Sequence, residues 1–362
     1  MFMPNRRNII YSILSGLLML ALIILPGSIG HAASSPMPFS VALIGDMPYD
    51  AKGQTQTPAV INEINQSEIQ FTLFDGDTMS GKGDKCTDDN YTRIKSDFFD
   101  KFSRQIFYSI GDNEWTDCDR AVKGAFNPSE RLAKVRSMFF RNSGGYIKLG
   151  QRPLITQVIH DALYPELQMF SFRGITVIIP HVVGSANNAA VARPAYRTYN
   201  DAPTDGDDAE YKLRDAANVA WIKKGFDKAI ADRSLGVIVV VQADMDWQGY
   251  NRKAASPDNE FTQAFDNTKQ ALLTNAIKFK KPVLLQNGDA HWYQVDQPMN
   301  ETGGKIVEGD KGSLMENFTR IQTFGSGFNH WVQLVVNPQD PKLFSFVPHI
   351  VKANVDVHTA LN

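Results

Sequence analysis

The sequence predicts an α/β fold, and three observations carry that prediction. Apolar runs of strand length recur along the chain, segments of helical spacing lie between several of them, and a Gly-Asp pair follows four of the runs. The runs are Phe39 to Ile44, Ile69 to Phe74, Gln105 to Ile110, Gly174 to Pro180, Gly236 to Val241 and Pro282 to Gln286. Asp89 to Phe102, Pro128 to Phe140, Glu210 to Ala231 and Phe261 to Phe279 place apolar residues three and four apart, the spacing of one buried helical face. Strands alternating with helices imply a layered architecture with a mostly parallel or mixed sheet. The last part changes character. Arg320 to Phe324, Trp331 to Val336 and Leu343 to Val347 read as short strands without helices between them, an antiparallel extension of the sheet or a second sheet packed on it. Gly184 to Asp208, rich in Ala, Asn, Asp and Pro, has no periodicity and reads as a surface loop or lid.

The first residues follow the order of a secretory signal peptide: Arg6 and Arg7, the apolar stretch Ile9 to Pro26, then small residues at Gly30, Ala32 and Ala33. Residues 1–33 are therefore expected to be removed, leaving a single domain over 34–362, periplasmic or secreted, with no stable membrane span; the alternative is a retained signal anchor, since the apolar run is nearly long enough to span. About 330 residues suffice for a sizeable core. With 43% hydrophobic and 21% charged residues the chain is globular, and a formal net charge of −2 without a basic stripe argues against a nucleic-acid partner. Cys86 and Cys118 are the only cysteines. In an oxidising compartment they are expected to form a disulfide, the alternative being two buried thiols.

Chemistry concentrates at the ends of the runs. Ile44-Gly45-Asp46, Asp75-Gly76-Asp77, Ile110-Gly111-Asp112 and Asn287-Gly288-Asp289 each set an acid just past a strand, where parallel strands share one edge and ligands bind in the crevice. A glycine before each acid is expected to let the backbone turn sharply. His291 follows Asp289 by two residues, and Val241-Gln242-Ala243-Asp244 adds an amide and another acid at a further strand end. Clustered carboxylates repel unless a cation neutralises them, so one or two divalent metal ions are expected.

These strand-end motifs, in this order, resemble the calcineurin-like metallophosphoesterases, which include the purple acid phosphatases. The family's G-D-x-H, G-D, G-N-H-E/D, lone His and G-H-x-H read here as Gly45-Asp46-Met47-Pro48, Gly76-Asp77, Gly111-Asp112-Asn113-Glu114, Gln242 and Gly288-Asp289-Ala290-His291. The resemblance spans roughly Val41 to Trp292. It implies a two-sheet mixed sandwich flanked by helices and hydrolysis of phosphate esters, with a small-molecule or phosphorylated substrate. It further implies that Asp46 and His291 bind one metal, Asp77 bridges both, and Asp112, Gln242 and Asp289 surround the second. Pro48, Gln242 and Asp289 replace family histidines, and Asn113 stands where the family places the histidine that protonates the leaving group. A shift by one residue would instead make Asn113 a ligand and Glu114 the acid. The ligand set is mostly oxygen, which suits Mg²⁺, Mn²⁺ or Ca²⁺ better than zinc, with iron the further alternative. The missing histidines support a rival expectation, an inactive relative that keeps the fold and binds a ligand without turnover.

Arg120, in the polar segment after Asp112, reads either as a bidentate phosphate ligand or as the partner of Asp117 or Asp119. Trp115 and Trp292 read as core or as pocket walls, and His181 as a structural histidine. Gly76 to Gly83 falls short of a P-loop because Gly83 stands where Ser or Thr is needed, Met79 breaks a calcium-loop pattern after Asp75, and Phe324-Gly325-Ser326-Gly327 lacks the first glycine of a nucleophile elbow.

Overall fold

Alternation along the strands sorts the apolar side chains into three layers, and two sheets are the result. The computed structural model describes residues 37–189, 207–245, 247, 263–299 and 315–355. The predicted leader and much of the predicted loop from Gly184 to Asp208 lie outside the described residues.

The first half contributes β1 (Phe39–Ile44), α1 (Asp50–Gln66), β2 (Ile69–Phe74), α2 (Asp88–Asp97), β3 (Ile106–Tyr108) and α3 (Pro128–Phe139), followed by a small hairpin of β4 (Arg141–Asn142) and β5 (Gly145–Tyr146). Then come β6 (Ile159–His160), β7 (Gln168–Phe172), β8 (Ile175–Ile179), α4 (Asp207–Ala231), β9 (Gly236–Val240), α5 (Asp266–Phe279), β10 (Val283–Asn287), β11 (Gln294–Asp296), β12 (Phe318–Gln322), β13 (Trp331–Val336) and β14 (Phe344–His349). One sheet has the order β14-β13-β1-β2-β3, and the other β11-β12-β10-β9-β8-β7-β6. Both are mixed. The pairs β1–β2 and β2–β3 are parallel, as are β8–β9, β9–β10 and β10–β12, while antiparallel strands occupy the remaining positions. The late strands thus divide: β13 and β14 extend the first sheet antiparallel, whereas β12 joins the second sheet parallel to β10.

Val41, Leu43, Phe71, Leu73 and Phe107 point from the first sheet onto Phe170, Val177, Ile238, Val240 and Leu284 of the second, forming the layer between the sheets. The intervening residues Ala42, Ile44 and Phe74 pack outward against Val60 and Ile64 of α1, Ile94 of α2 and Val135 of α3. On the far side Val237, Val239 and Leu285 pack against Trp221 and Phe226 of α4 and Leu272 and Phe279 of α5. The chain is therefore a two-sheet mixed sandwich with helices on both outer faces. Each large side chain so buried stabilises the fold by roughly 1.5–3 kcal/mol. Phe71 bridges the sheets, with ring centroids 5.5 Å from Phe170 and 5.7 Å from Phe107.

Local sequence sets the helix starts. The Thr87 hydroxyl caps α2 by accepting the Asn90 amide at 3.3 Å, and Asn127 caps α3 ahead of Pro128 by accepting the Glu130 amide at 3.0 Å. Cys86 and Cys118 are joined, as expected, with Cα atoms 5.8 Å apart. Among the described residues no helix is long and apolar enough to cross a membrane.

The two sheets are tied directly below one edge of the sandwich. Gln286 of β10 reaches across, its Nε2 donating to Asp75 Oδ2 at 2.9 Å and to the Leu73 carbonyl at 3.2 Å, and the Thr323 hydroxyl after β12 donates to the same Asp75 oxygen at 2.9 Å. Backbone bonds carry the ladders past the strand ends, from Asp46 N to Gly76 O at 2.8 Å and from Gly288 N to Gln242 O at 3.1 Å. With the bond from Ser109 N to Phe74 O at 2.9 Å, these place the segments after β1, β2, β3, β9 and β10 side by side.

Candidate metal centre

Asp46, Asp77, Asp112, Gln242, Asp289 and His291 all meet at this edge. The turns that carry them depart from the sequence expectation in one respect. Left-handed backbone falls mainly on the acids themselves, Asp46 (φ 50°), Asp77 (φ 60°) and Asp289 (φ 71°), and on His291 (φ 69°), with Gly76 the one glycine of the four pairs in that region. Aspartate tolerates this conformation better than most residues because its short side chain bonds locally. Gly45 and Gly111 serve a different need, close approach. A Cβ on Gly45 would lie 1.5 Å from Asp75 Oδ1, and one on Gly111 would lie 1.9 Å from Asp77 Oδ1.

Asp77, Asp112 and Asp289 each offer an oxygen within 4.8 Å of the other two. Among the described residues this is the single group of three or more acidic, imidazole or thiol ligands so arranged, and no Lys or Arg there pairs with any of the three. Burial and repulsion from Asp112 push the Asp77 pKa well above the usual carboxylate range, and the same two causes act on Asp289. Three carboxylates in close reach, short of counter-charge, are a donor set that fits one hard divalent cation. Gln242 lies among them, but its Nε2 faces Asp77 and Asp112, at 3.2 Å from each, while its Oε1 accepts the Gly184 amide.

Asp46 and His291 form the other half. His291 Nε2 lies 3.3 Å from Asp46 Oδ1, and the Asp289 amide donates to both Asp46 oxygens at 3.1 Å. Burial opposes the imidazolium, but the Asp46 carboxylate outweighs it and raises the His291 pKa. Tyr49, absent from the sequence-based candidates, reaches the centre of this half. Its hydroxyl donates to Asp77 Oδ2 at 2.7 Å, lies 3.4 Å from Asp46 Oδ1 and accepts Asn113 Nδ2 at 2.8 Å. Burial, then the Asp77 and Asp46 charges, hold the phenol protonated.

The site opens into a cleft of about 540 Å³ whose lining includes Tyr49, Asn113, Asp117, Arg120, Ser185 and Trp292. Asn113 turns inward, with Nδ2 also donating to Asp77 Oδ2 at 2.8 Å. Glu114 does not line the cleft. It is buried beneath it, where its Oε1 accepts the Thr78 amide. Of the two roles offered by the sequence, Arg120 takes that of Asp117's partner: Nη1 pairs with Asp117 Oδ2 at 2.6 Å and donates to the Gly81 carbonyl at 3.1 Å, and the side chain lies on the cleft wall. Trp115 is core, stacked under Arg214 at 5.2 Å, whereas Trp292 lies on the wall. His181 is fixed by Glu166 at 2.9 Å, away from the cleft.

Ser185 is the second residue the sequence did not single out. It begins a run of left-handed residues, Ser185 to Asn188, and its Oγ lies 2.7 Å from Asp112 Oδ2 and 2.8 Å from Asp117 Oδ1. Nothing in Ser-Ala-Asn-Asn announces such a turn. Burial, followed by the charge of Asp112, raises the Asp117 pKa to about 7. The disulfide backs this wall, with both sulfurs 3.8 Å from the Asn113 carbonyl.

No protein-family model matches the chain, and no curated protein does. Among solved structures it is similar to GAP50, the anchor in the inner membrane complex of Plasmodium, at 12% identity and a TM-score of 0.45, over 87% of this chain and 90% of that one. That likeness is too slight to carry any residue's role across.

Proposed function

We propose that this chain is an exported, metal-dependent phosphoester hydrolase of the calcineurin-like kind, periplasmic or secreted. The observation that carries the reading is the convergence of Asp77, Asp112 and Asp289, within 4.8 Å of one another, on the floor of a cleft walled by Arg120. A divalent cation on these oxygens supplies Lewis acidity to phosphoryl oxygens and to water. The chain's own groups then position the ester. Arg120 engages protein acceptors through Nη1, which leaves Nε and Nη2 as donors for phosphate oxygens. Ser185 Oγ, held between Asp112 and Asp117, presents a polar wall beside it. Trp292 adds an aromatic wall to the same cleft.

Two observations favour a second reading. The Gln242 amide nitrogen points at Asp77 and Asp112, and Asn113, which cannot serve as a proton donor at useful cost, stands where the family places its proton-donating histidine; both suit a ligand-binding protein that does not turn over. Assay of mono- and diesters with added Mn²⁺, Mg²⁺ or Ca²⁺ separates the two. Ester cleavage abolished by Asp77→Asn supports the hydrolase, and bound cation with no cleavage of any ester assigns the chain to the second reading.

A further inference from the structure

We infer that this site holds one divalent cation, on Asp77, Asp112 and Asp289, and that the Tyr49 hydroxyl occupies the place of a second. The inference rests on the metal-centre reading above and fixes its stoichiometry. Ligand atoms on a common ion, each about 2.0–2.4 Å from it, must lie within about 4.8 Å of one another. The triad meets that condition, whereas Asp46, His291 and Asp77 do not form such a group.

The space between them is already used. The Tyr49 hydroxyl bonds Asp77 Oδ2 at 2.7 Å and lies 3.4 Å from Asp46 Oδ1, so the oxygens that would face a shared ion face a phenol instead. Asp46 is further engaged by the Asp289 amide on both oxygens at 3.1 Å and by His291 Nε2 at 3.3 Å, leaving its charge matched within the protein. Tyr49 is held in place: it is 5% exposed, its ring meets the His291 ring edge-on at 5.2 Å, and its oxygen accepts Asn113 Nδ2 at 2.8 Å. A neutral donor in this position does for Asp77 Oδ2 what a second cation would do, satisfying a lone pair that would otherwise face it.

Stoichiometry tests this directly, with a readout independent of turnover. The chelator-stripped full-length chain is titrated with Mn²⁺ by calorimetry, and the loaded protein is examined by electron paramagnetic resonance. One equivalent and an uncoupled six-line signal are expected. Tyr49→Phe should keep one equivalent, and Tyr49→Ala, which opens the space, should admit a second and broaden the signal through spin coupling. Two equivalents in the unsubstituted chain overturn this inference and leave the hydrolase reading standing. Loss of an equivalent in Tyr49→Phe also overturns it, by making the phenol a ligand. No bound Mn²⁺ at all overturns both.

Discussion

Glu166 and Asp77 are both buried carboxylates, at 2% and 1% exposure, and they differ in what faces them. Burial opposes the charge of Glu166, but hydrogen bonds and charge from His181 and Arg136 outweigh it and carry its pKa down to about 2. Around it Arg214 pairs with Glu210 at 2.7 Å and donates to the His181 carbonyl at 2.8 Å, so this region is neutralised within the chain. Asp77 faces Asp112, Glu114 and Asp46, and its pKa moves the opposite way. The difference teaches that basic side chains neutralise the acids behind the cleft, whereas the triad Asp77, Asp112 and Asp289 on its floor faces other carboxylates without one. A charge buried without a partner is costly, and such a cluster persists where something outside the chain supplies the partner.

Four experiments press on that contrast. Asp77→Asn should lower ester turnover by about 10³-fold, the scale seen when one electrostatic contact is removed from a reacting site, while leaving the cation-free chain as stable or more so; a destabilised variant would place Asp77 with the matched charges. Glu166→Gln should destabilise by about 1–3 kcal/mol in denaturant unfolding, because it removes the buried carboxylate shared by the buried His181 ring and the partly exposed Arg136. An effect below about 1 kcal/mol would erase the contrast.

The third is pH. Asp77 and Asp289 have folded pKa values above their unfolded ones, so the cation-free native state holds extra protons and loses stability as pH rises through those raised values. Added Mn²⁺ should therefore raise the melting temperature by an increment that grows with pH and vanishes in acid. His181 acts in the reverse sense. Burial lowers its pKa from 6.5 to about 4, so stability is lost as pH falls from 6.5 to about 4, with or without cation. A Mn²⁺ increment independent of pH would sink the assignment of the triad as the cation's ligands. The smallest effect is expected from Arg120→Gln, a rise in KM for a phosphate ester of about tenfold with little change in kcat, since one charge-assisted bond to the substrate is worth about 1.5 kcal/mol.

Much of the layering was legible because period-two apolar runs are strong signals: β1 and β2 carry the same bounds in sequence and structure, and α3 differs by its last residue. Helix α1 was not legible. Gly53 and Pro58 interrupt its first half, and only Val60, Ile61 and Ile64 supply an apolar stripe. Strand β7 was likewise missed, since Gln168-Met169-Phe170-Ser171-Phe172 has no β-branched residue to mark it. At the site, strand-end acids were visible by spacing. Tyr49 and Ser185 were not, because each acts through a turn geometry, a left-handed run or a loop after β1, that residue identity alone does not specify. Glu114 shows the converse: its place in the motif suggested a proton donor, yet the next turn of chain directs it beneath the cleft onto the Thr78 amide.

The triad draws its oxygens from both layers of the sandwich, Asp77 and Asp112 following strands of one sheet and Asp289 following a strand of the other. An ion seated there acts as a removable rivet between segments far apart in the chain. Pulling the sheets apart would release it, and supplying it in excess would slow that separation by mass action. Resistance of this molecule to proteolysis and heat would then track the cation content of its surroundings, and a scarce metal would shorten the lifetime of the protein.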